Sequence, residues 1–324
     1  MIKVEIAGGA GYTAGELLRL LLHHQEAEIT AVASTSHAGE AVSKVHQDIT
    51  ATALNFTATL PFTGDVLFLC MGHGRSREFL SRNNIPESMK IIDLSQDFRL
   101  QGQNTLGNRV FVYGLPEANK GAIRQATSVA NPGCFATAIQ EALLPLAAAG
   151  WLAADVHINA ITGATGAGQA PTGTTHFSWR HDNVSIYKPF THQHLQEVKE
   201  TLTQLAGGWP GDTLFIPVRG NFTRGIFASI YTRINRPLKE IKAAYREYFA
   251  GHPFVQFAGQ PIHLKQAVNT NNVWLHVEAH GEYVLITSTI DNLLKGASGQ
   301  AVQNMNLMFG IKETSGLQLK GSAF

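Results

Sequence analysis

The sequence predicts an α/β protein in which a doubly wound parallel sheet domain is joined to an α+β domain with a mixed, largely antiparallel sheet. Three observations carry this. Residues 2–7 read as a buried strand that breaks at Gly8-Gly9-Ala10-Gly11 and leads into the helical pattern of residues 16–22, the strand, glycine turn, helix order of a dinucleotide-binding unit. Short strand patterns recur at 28–34, 66–71 and 90–94, spaced as buried parallel strands are. Later, residues 226–234 and 273–280 alternate apolar and polar side chains and 283–290 adds another such run, the texture of half-buried antiparallel strands.

Composition narrows the class. At 324 residues, 44% hydrophobic and 15% charged, the chain suits a two-domain globular enzyme. The net charge of +1, with no Lys/Arg cluster interleaved with aromatics, argues against nucleic acid. No apolar run reaches the roughly 20 residues needed to span a bilayer, and the N-terminus enters a strand pattern without a charged leader, so a soluble, cytoplasmic protein is expected. Two cysteines, Cys70 and Cys134, do not make a disulfide framework and suit a reducing compartment. The 14 histidines are scattered and no C-x-x-C pair occurs, so no metal site is expected.

In the first domain, Gly8 and Gly11 let the backbone approach a pyrophosphate, with Tyr12, Thr13 and Ala14 in the same turn, and the helix that follows supplies N–H groups and a dipole that favour it. After the second strand stands Ser34-Thr35-Ser36-His37, with no carboxylate before Glu40. An NAD site commonly places Asp or Glu there; hydroxyls accept a 2′-phosphate, so NADP is expected. Gly72-His73-Gly74-Arg75-Ser76 follows the 66–71 strand on the side where open α/β sheets bind ligands. His73 there either touches the cofactor or caps the next helix. Cys70, inside the apolar run, reads as inert core. Arg99, in Ser95-Gln96-Asp97-Phe98-Arg99, has the planar fork of an anion clamp.

Next, Asn131-Pro132-Gly133 forces a turn and Cys134 opens a helical pattern reaching about Ala149. A helix start favours a thiolate, yet cysteine is also among the most buried residue types, and local pattern alone leaves nucleophile and structural residue equally open. Residues 156–161 read as a strand, and Gly163, Gly166 and Gly168, ahead of Gln169, form a loop able to approach a ligand closely. His192 and His194 lie where a loop enters a helix, either as proton carriers near neutral pH or as a solvent-facing pair.

Residues 8–16, Asp93-Leu94-Ser95 with Asp97-Phe98-Arg99-Leu100, Val112-Tyr113-Gly114-Leu115-Pro116-Glu117, residues 130–134, His192-Gln193-His194 and residues 291–306 resemble those of the N-acetyl-gamma-glutamyl-phosphate reductases of arginine biosynthesis, relatives of aspartate-semialdehyde dehydrogenase. The resemblance spans nearly the whole chain. It implies NADPH-dependent reductive dephosphorylation of an N-acyl-γ-glutamyl phosphate, with Cys134 forming a thioester and His194 moving protons, His192 being its rival. It further implies that Asn131 and Arg99 hold phosphate and oxyanion, that Asn292 and the Gly163–Gly168 loop meet the cofactor, and that Gln169 meets substrate. Arg224 either pairs a substrate carboxylate or forms a structural ion pair. A Rossmann-type NADP domain is expected over 1–133 and about 296–324, a catalytic and dimerisation domain over about 134–295, and a homodimer or homotetramer.

Four places depart from the family pattern: Ala14 replaces a glycine, Thr35 and Gln169 stand where arginine is usual, and residues 218–222 differ throughout. Arg219, new in that run, suggests a second carboxylate on the substrate nitrogen, as in an N-succinyl group. Rival readings are aspartate-semialdehyde dehydrogenase itself, a Cys-His acyl-transfer enzyme without nicotinamide, and a noncatalytic NADP-binding sensor.

Overall fold

The computed structural model describes residues 1–50 and 52–323. The chain forms two compact units, the first Met1–Pro132 with Ala297–Gln318 and the second Gly133–Gly296 with the tail from Leu319.

The first unit runs β1 (Ile2–Ala7), α1 (Tyr12–Leu21), β2 (Ala27–Ala33), α2 (Val42–Val45), β3 (Phe56–Thr57), β4 (Val66–Leu69), α3 (Arg75–Arg82), β5 (Lys90–Asp93), β6 (Thr105–Leu106), β7 (Arg109–Tyr113), α4 (Pro116–Gln125) and β8 (Ser128–Ala130). Among the described residues its sheet has the order β3-β2-β1-β4-β5-β8-β7-β6, parallel throughout except for the β6–β7 pair. Strand β4 is buried at every position, which is why it reads as an unbroken apolar run. Helix α1 buries Ala14, Leu17, Leu18, Leu20 and Leu21, a face set by the 3.6-residue period. Because β2 and β4 flank β1 on opposite sides, the strand order reverses there and leaves a crevice at the carboxyl ends.

Polar side chains buried in this unit fix its loops. Glu5, fully buried on β1, accepts the N–H groups of Phe62 (3.1 Å), Thr63 (2.7 Å) and Gly64 (2.8 Å), which turns the chain into β4. Asp93, also fully buried, accepts from Ser76 Oγ (2.6 Å) and Ser95 Oγ (2.7 Å). Burial raises its carboxyl above the ordinary aspartate value, against the opposing pull of those hydrogen bonds.

The second unit runs α5 (Cys134–Ala148), β9 (Val156–Thr162), α6 (Phe177–Arg180), β10 (Ser185–Ile186), α7 (His194–Leu205), β11 (Thr213–Arg219), β12 (Ile226–Arg233), α8 (Leu238–Tyr248), β13 (Val255–Phe257), β14 (Val273–His280) and β15 (Tyr283–Ile290). Its sheet order is β10-β11-β9-β12-β15-β14-β13. The pairs β10–β11, β9–β12, β12–β15 and β14–β15 are antiparallel, while β9–β11 and β13–β14 are parallel. Helix α5 is buried from Phe135 to Ala147 and packs on α7, α8, β12 and β15; its mostly apolar sequence suits a helix covered on all sides. Its Glu141 and Lys295 are both fully buried and lie 3.8 Å apart.

After a π-helical turn at Leu294–Ser298, α9 (Gly299–Met308) returns to the first unit and packs on α1 and α4. It is buried along its length, and two of its amides donate to main chain there: Asn304 Nδ2 to Gly114 O (2.8 Å) and Asn306 Nδ2 to Ser315 O (2.9 Å). The sequence reading carried the whole stretch from 296 to 324 with this unit. Instead the tail sides with the second, since Ser322 N donates to Val268 O (3.0 Å) and Ala323 N to Lys265 O (3.1 Å).

Glu5→Ala leaves three N–H groups without their carboxylate, so the variant is expected to lose roughly 2–3 kcal/mol in urea unfolding. A loss below about 0.5 kcal/mol, the range of neutral surface changes, would show that water replaces the side chain freely.

Candidate active site

The first unit holds a cleft of about 720 Å3 at the carboxyl ends of β1, β2 and β4, lined by Gly8, Gly11, Ser34, Thr35 and Ser36. The predicted turn and hydroxyl residues therefore come together. Gly8 has φ +80°, a region that side chains rarely adopt, and Gly11 is the N-cap of α1. Ser34 is buried, its Oγ 3.3 Å from Ser36 Oγ. Of the other assigned residues, Ala14 is fully buried on the inner face of α1, Thr13 O accepts from Ser298 Oγ (2.7 Å), and Tyr12 is exposed.

His73 is exposed, and its Nδ1 accepts from Gln96 N (3.2 Å). Asp97 caps α3 instead, taking Gly74 N (2.7 Å) and Arg77 N (3.1 Å). Sequence reasoning missed Arg75 and Arg82, which line the same cleft as the three hydroxyl residues; Arg82 is paired with Glu78 at 2.6 Å. The signal for Arg75 was its position two residues after Gly72-His73, at the exit of β4. Cys70 is buried, and burial pushes its thiol up to about 12, so it stays protonated and inert.

Arg99 and Asn131 are committed within the first unit. Arg99 Nε donates to Asn131 O (2.9 Å) and Nη2 to Leu94 O (3.2 Å). Asn131 Nδ2 donates to Ala297 O (3.0 Å), and its Oδ1 accepts from Asn304 Nδ2 (3.0 Å). One edge of the guanidinium fork is thus spent on carbonyls, and the pair braces the end of β8.

In the second unit Gly133, with φ −71° and ψ 149°, is the N-cap of α5, and Cys134 is its first residue. The thiol is half-buried and in no disulfide, at the positive end of the macrodipole, where a thiolate is favoured. His194 opens α7 and is buried. Its ring lies against Gly133: a methyl group there would stand 2.3 Å from Nε2 and 2.6 Å from Cδ2, so only glycine fits before the thiol. Glu197, three residues along α7 and also buried, accepts the Gly133 N–H on Oε2 at 3.0 Å. Sequence reasoning missed Glu197, although its i, i+3 spacing from His194 places both on one helix face. Gly296 is a second close approach, since a methyl there would stand 2.8 Å from Cys134 Cβ.

His192 differs from its neighbour. Its Nδ1 accepts from His194 N (3.3 Å), and its ring meets Phe135, Tyr187, His194 and Phe215 edge-on. Burial first, then the charges of Lys188 and Arg219, pull its pKa down to about 4, so the ring is neutral at neutral pH.

The glycine loop after β9 is bonded to a neighbouring loop of its own unit, Ala164 N donating to Phe222 O (2.8 Å). Gly163 is required by Thr223, whose carbonyl carbon would lie 2.5 Å from an added methyl, while Gly166, Gly168 and Gln169 are exposed. Asn292, assigned to the cofactor, spends its amide on this loop: Oδ1 accepts from Gly225 N (2.6 Å) and Nδ2 donates to Thr165 Oγ1 (3.1 Å). Arg224 takes the structural alternative, pairing with the fully buried Asp291 at 3.0 Å. Arg219 is buried with its guanidinium 4.6 Å from the Tyr187 ring centroid. Among the described residues no group of three or more His, Cys, Asp or Glu is placed to hold a metal ion, and no helix is long and apolar enough to cross a membrane.

A Rossmann-type unit with an open dinucleotide cleft, followed by a sheet unit whose first helix opens on a thiol beside a histidine, defines the nicotinamide-linked semialdehyde dehydrogenases. Residues 3–126 match the semialdehyde dehydrogenase NAD binding domain, and residues 134–292 the semialdehyde dehydrogenase dimerisation domain. Curated relatives called N-acetyl-gamma-glutamyl-phosphate reductase, from Parabacteroides distasonis and Bacteroides thetaiotaomicron, are each 53% identical over the full length of both chains; one from Christiangramia forsetii is 52% identical over the same extent. The chain belongs to the N-acetyl-gamma-glutamyl-phosphate reductase family. Aspartate semialdehyde dehydrogenase II of Vibrio cholerae shares its fold, with TM-score 0.74 at 15% identity over 96% of this chain and 98% of that one. The Candida albicans enzyme solved with NADP gives 0.68 at 14% identity over 95% and 99%.

The depressed pKa of His192 has a measurable sign. Between pH 6.5 and 4 the unfolded chain binds a proton that the folded one refuses, so stability falls as pH falls through that window. His192→Gln removes this contribution, and its urea midpoint is expected to vary less between pH 6.5 and 4 than that of the wild type. An unchanged slope would mean that His192 protonates readily in the native state.

Proposed function

We propose that this chain reduces an N-acyl-γ-glutamyl phosphate to the N-acylglutamate 5-semialdehyde with release of phosphate, using NADPH, as a step of arginine biosynthesis. The observation that carries the reading is the half-buried Cys134 at the start of α5, with His194 packed on the residue before it, in a chain 53% identical end to end to reductases so named. The same identity favours this substrate over aspartate semialdehyde, whose dehydrogenases are matched here at 15% or so.

Cys134 Sγ attacks the acyl carbon as thiolate, the carbon–oxygen bond to phosphate breaks with its electron pair leaving on phosphate, and a thioester remains. The nicotinamide, when bound, supplies the hydride that reduces the thioester carbonyl. His194 takes the thiol proton at the first step, gives a proton to the oxygen of the resulting thiohemiacetal and recovers it as the carbon–sulfur bond breaks. The N–H groups and dipole at the start of α5 favour the thiolate and the oxyanion. Glu197 is a positioning residue: by holding Gly133 N–H it fixes the thiol-bearing turn to α7. A sulfur ester accepts hydride readily because sulfur donates little resonance to the carbonyl.

The residues of the cleft fit NADP. Ser34, Thr35 and Ser36 offer hydroxyls without a neighbouring carboxylate on their own segment, and Arg75 and Arg82 bring cations to the same space, a set suited to a 2′-phosphate. The chain is further proposed to pair with a second copy, as a homodimer or a homotetramer of such pairs, through the sheet face of the second unit. There Ile161 (38% exposed), Tyr231 (41%) and Tyr283 (36%) remain open, and the match to a dimerisation domain covers those strands. A cytoplasmic location is supported by both cysteines standing outside any disulfide.

With N-acylglutamate semialdehyde, phosphate and NADP, Cys134→Ser is expected to give no measurable NADP reduction, and His194→Gln to lower kcat by about 100- to 10,000-fold. Undiminished turnover by Cys134→Ser would rule out the thioester route. Arg75→Ala should raise KM for NADP about tenfold, the equivalent of one charge-assisted contact, and leave KM for NAD near its starting value; equal changes for both cofactors would remove Arg75 from the 2′-phosphate.

A further inference from the structure

We infer that Arg219 is the counter-ion of a carboxylate carried by the substrate. The inference rests on the reductase reading and deepens it. Arg219 ends β11 and is 9% exposed, and a cation so far out of water is normally matched by a carboxylate. Among the described residues Arg219 has no ion pair. Its polar contacts are two long ones, from Nη1 to Gly163 O and Ala164 O, both at 3.4 Å, and its plane rests on the Tyr187 ring.

A second buried arginine sharpens the imbalance. Arg180, 6% exposed, lies close enough to Arg219 that the two charges disfavour one another. Arg180 is saturated by neutral acceptors: Nη1 donates to Asn183 O (3.0 Å) and Arg219 O (2.8 Å), and Nη2 to Ser185 Oγ (2.9 Å). It therefore contributes charge without a free edge, whereas the Arg219 fork retains donors. The nearby carboxylate, Asp182, is exposed and occupied with His181 (3.1 Å) and Asn221 (3.3 Å). The other arginine in reach of a substrate by sequence, Arg224, is held by Asp291.

This cation is next to the chemistry. Tyr187, on which it rests, feels the charges of both Arg219 and Cys134, and His192, which feels Arg219, is in ring contact with His194. An N-acylglutamyl phosphate has an α-carboxylate, and an N-succinyl group would add a second. Either source presents the same chemistry to a guanidinium fork.

The test uses the full-length enzyme with NADP, phosphate and either N-acetyl- or N-succinyl-glutamate semialdehyde. Arg219→Gln is expected to lower kcat/KM about 10- to 100-fold, mainly through KM, with Arg219→Lys recovering part of it. A larger loss with the N-succinyl substrate assigns the fork to the acyl carboxylate; an equal or larger loss with the N-acetyl substrate assigns it to the α-carboxylate. A change under threefold with both overturns the inference and leaves Arg219 a purely structural cation. A second readout needs no turnover: N-acetyl- or N-succinyl-glutamate should slow alkylation of Cys134 by iodoacetamide in the wild type and do so less in Arg219→Gln. If the wild type oxidises neither semialdehyde, the reductase reading fails, while this protection still decides whether Arg219 binds a carboxylate; equal protection in both proteins would refute it.

Discussion

The hydrogen bond from Gly133 N–H to Glu197 is the constraint on which the thiol site depends. A helix start leaves its first N–H groups without intrahelical partners, so the turn before α5 could settle in several ways. A buried carboxylate on α7 chooses one of them, and His194, on the same face of α7, fills the space that a side chain on Gly133 would need. Thiol, imidazole and carboxylate are therefore fixed by one turn and one helix face, and each residue constrains the other two.

Elsewhere too, buried polar groups rather than apolar contacts decide where loops go. Glu5 holds residues 62–64, Asp93 joins Ser76 to Ser95, and Asp291 gathers Arg224, Asn269 N and Leu293 N. Apolar packing is tolerant of small displacements, whereas a carboxylate out of water needs its donors in place. Such anchors let irregular segments border a cleft while keeping a defined course.

The strands and the first helices were legible because period and burial coincide. Strand β4 is apolar at every position, α1 repeats every three to four residues, and β12 alternates. Cys134 was legible for a different reason: Pro132-Gly133 ends one element and starts another. Less visible were contacts made across long sequence separations. That His194 rather than His192 meets Gly133 depends on α7 docking beside α5, and nothing in Thr191-His192-Gln193-His194 distinguishes two neighbouring imidazoles. Asn292, Arg99 and Asn131 have the right chemistry for ligands, yet each is engaged by main chain brought from elsewhere. Arg75 escaped notice because its neighbours in the cleft are some forty positions earlier in the chain.

Helix α9 belongs to the first unit although it is among the last segments made. On a ribosome, residues 1–132 would emerge without the element that covers α1 and α4, and the entire sheet unit would follow before that cover arrived. The nascent nucleotide fold must therefore wait with apolar surface uncovered, so truncations that reach α9 should injure the beginning of the polypeptide, although that helix lies far from it in sequence.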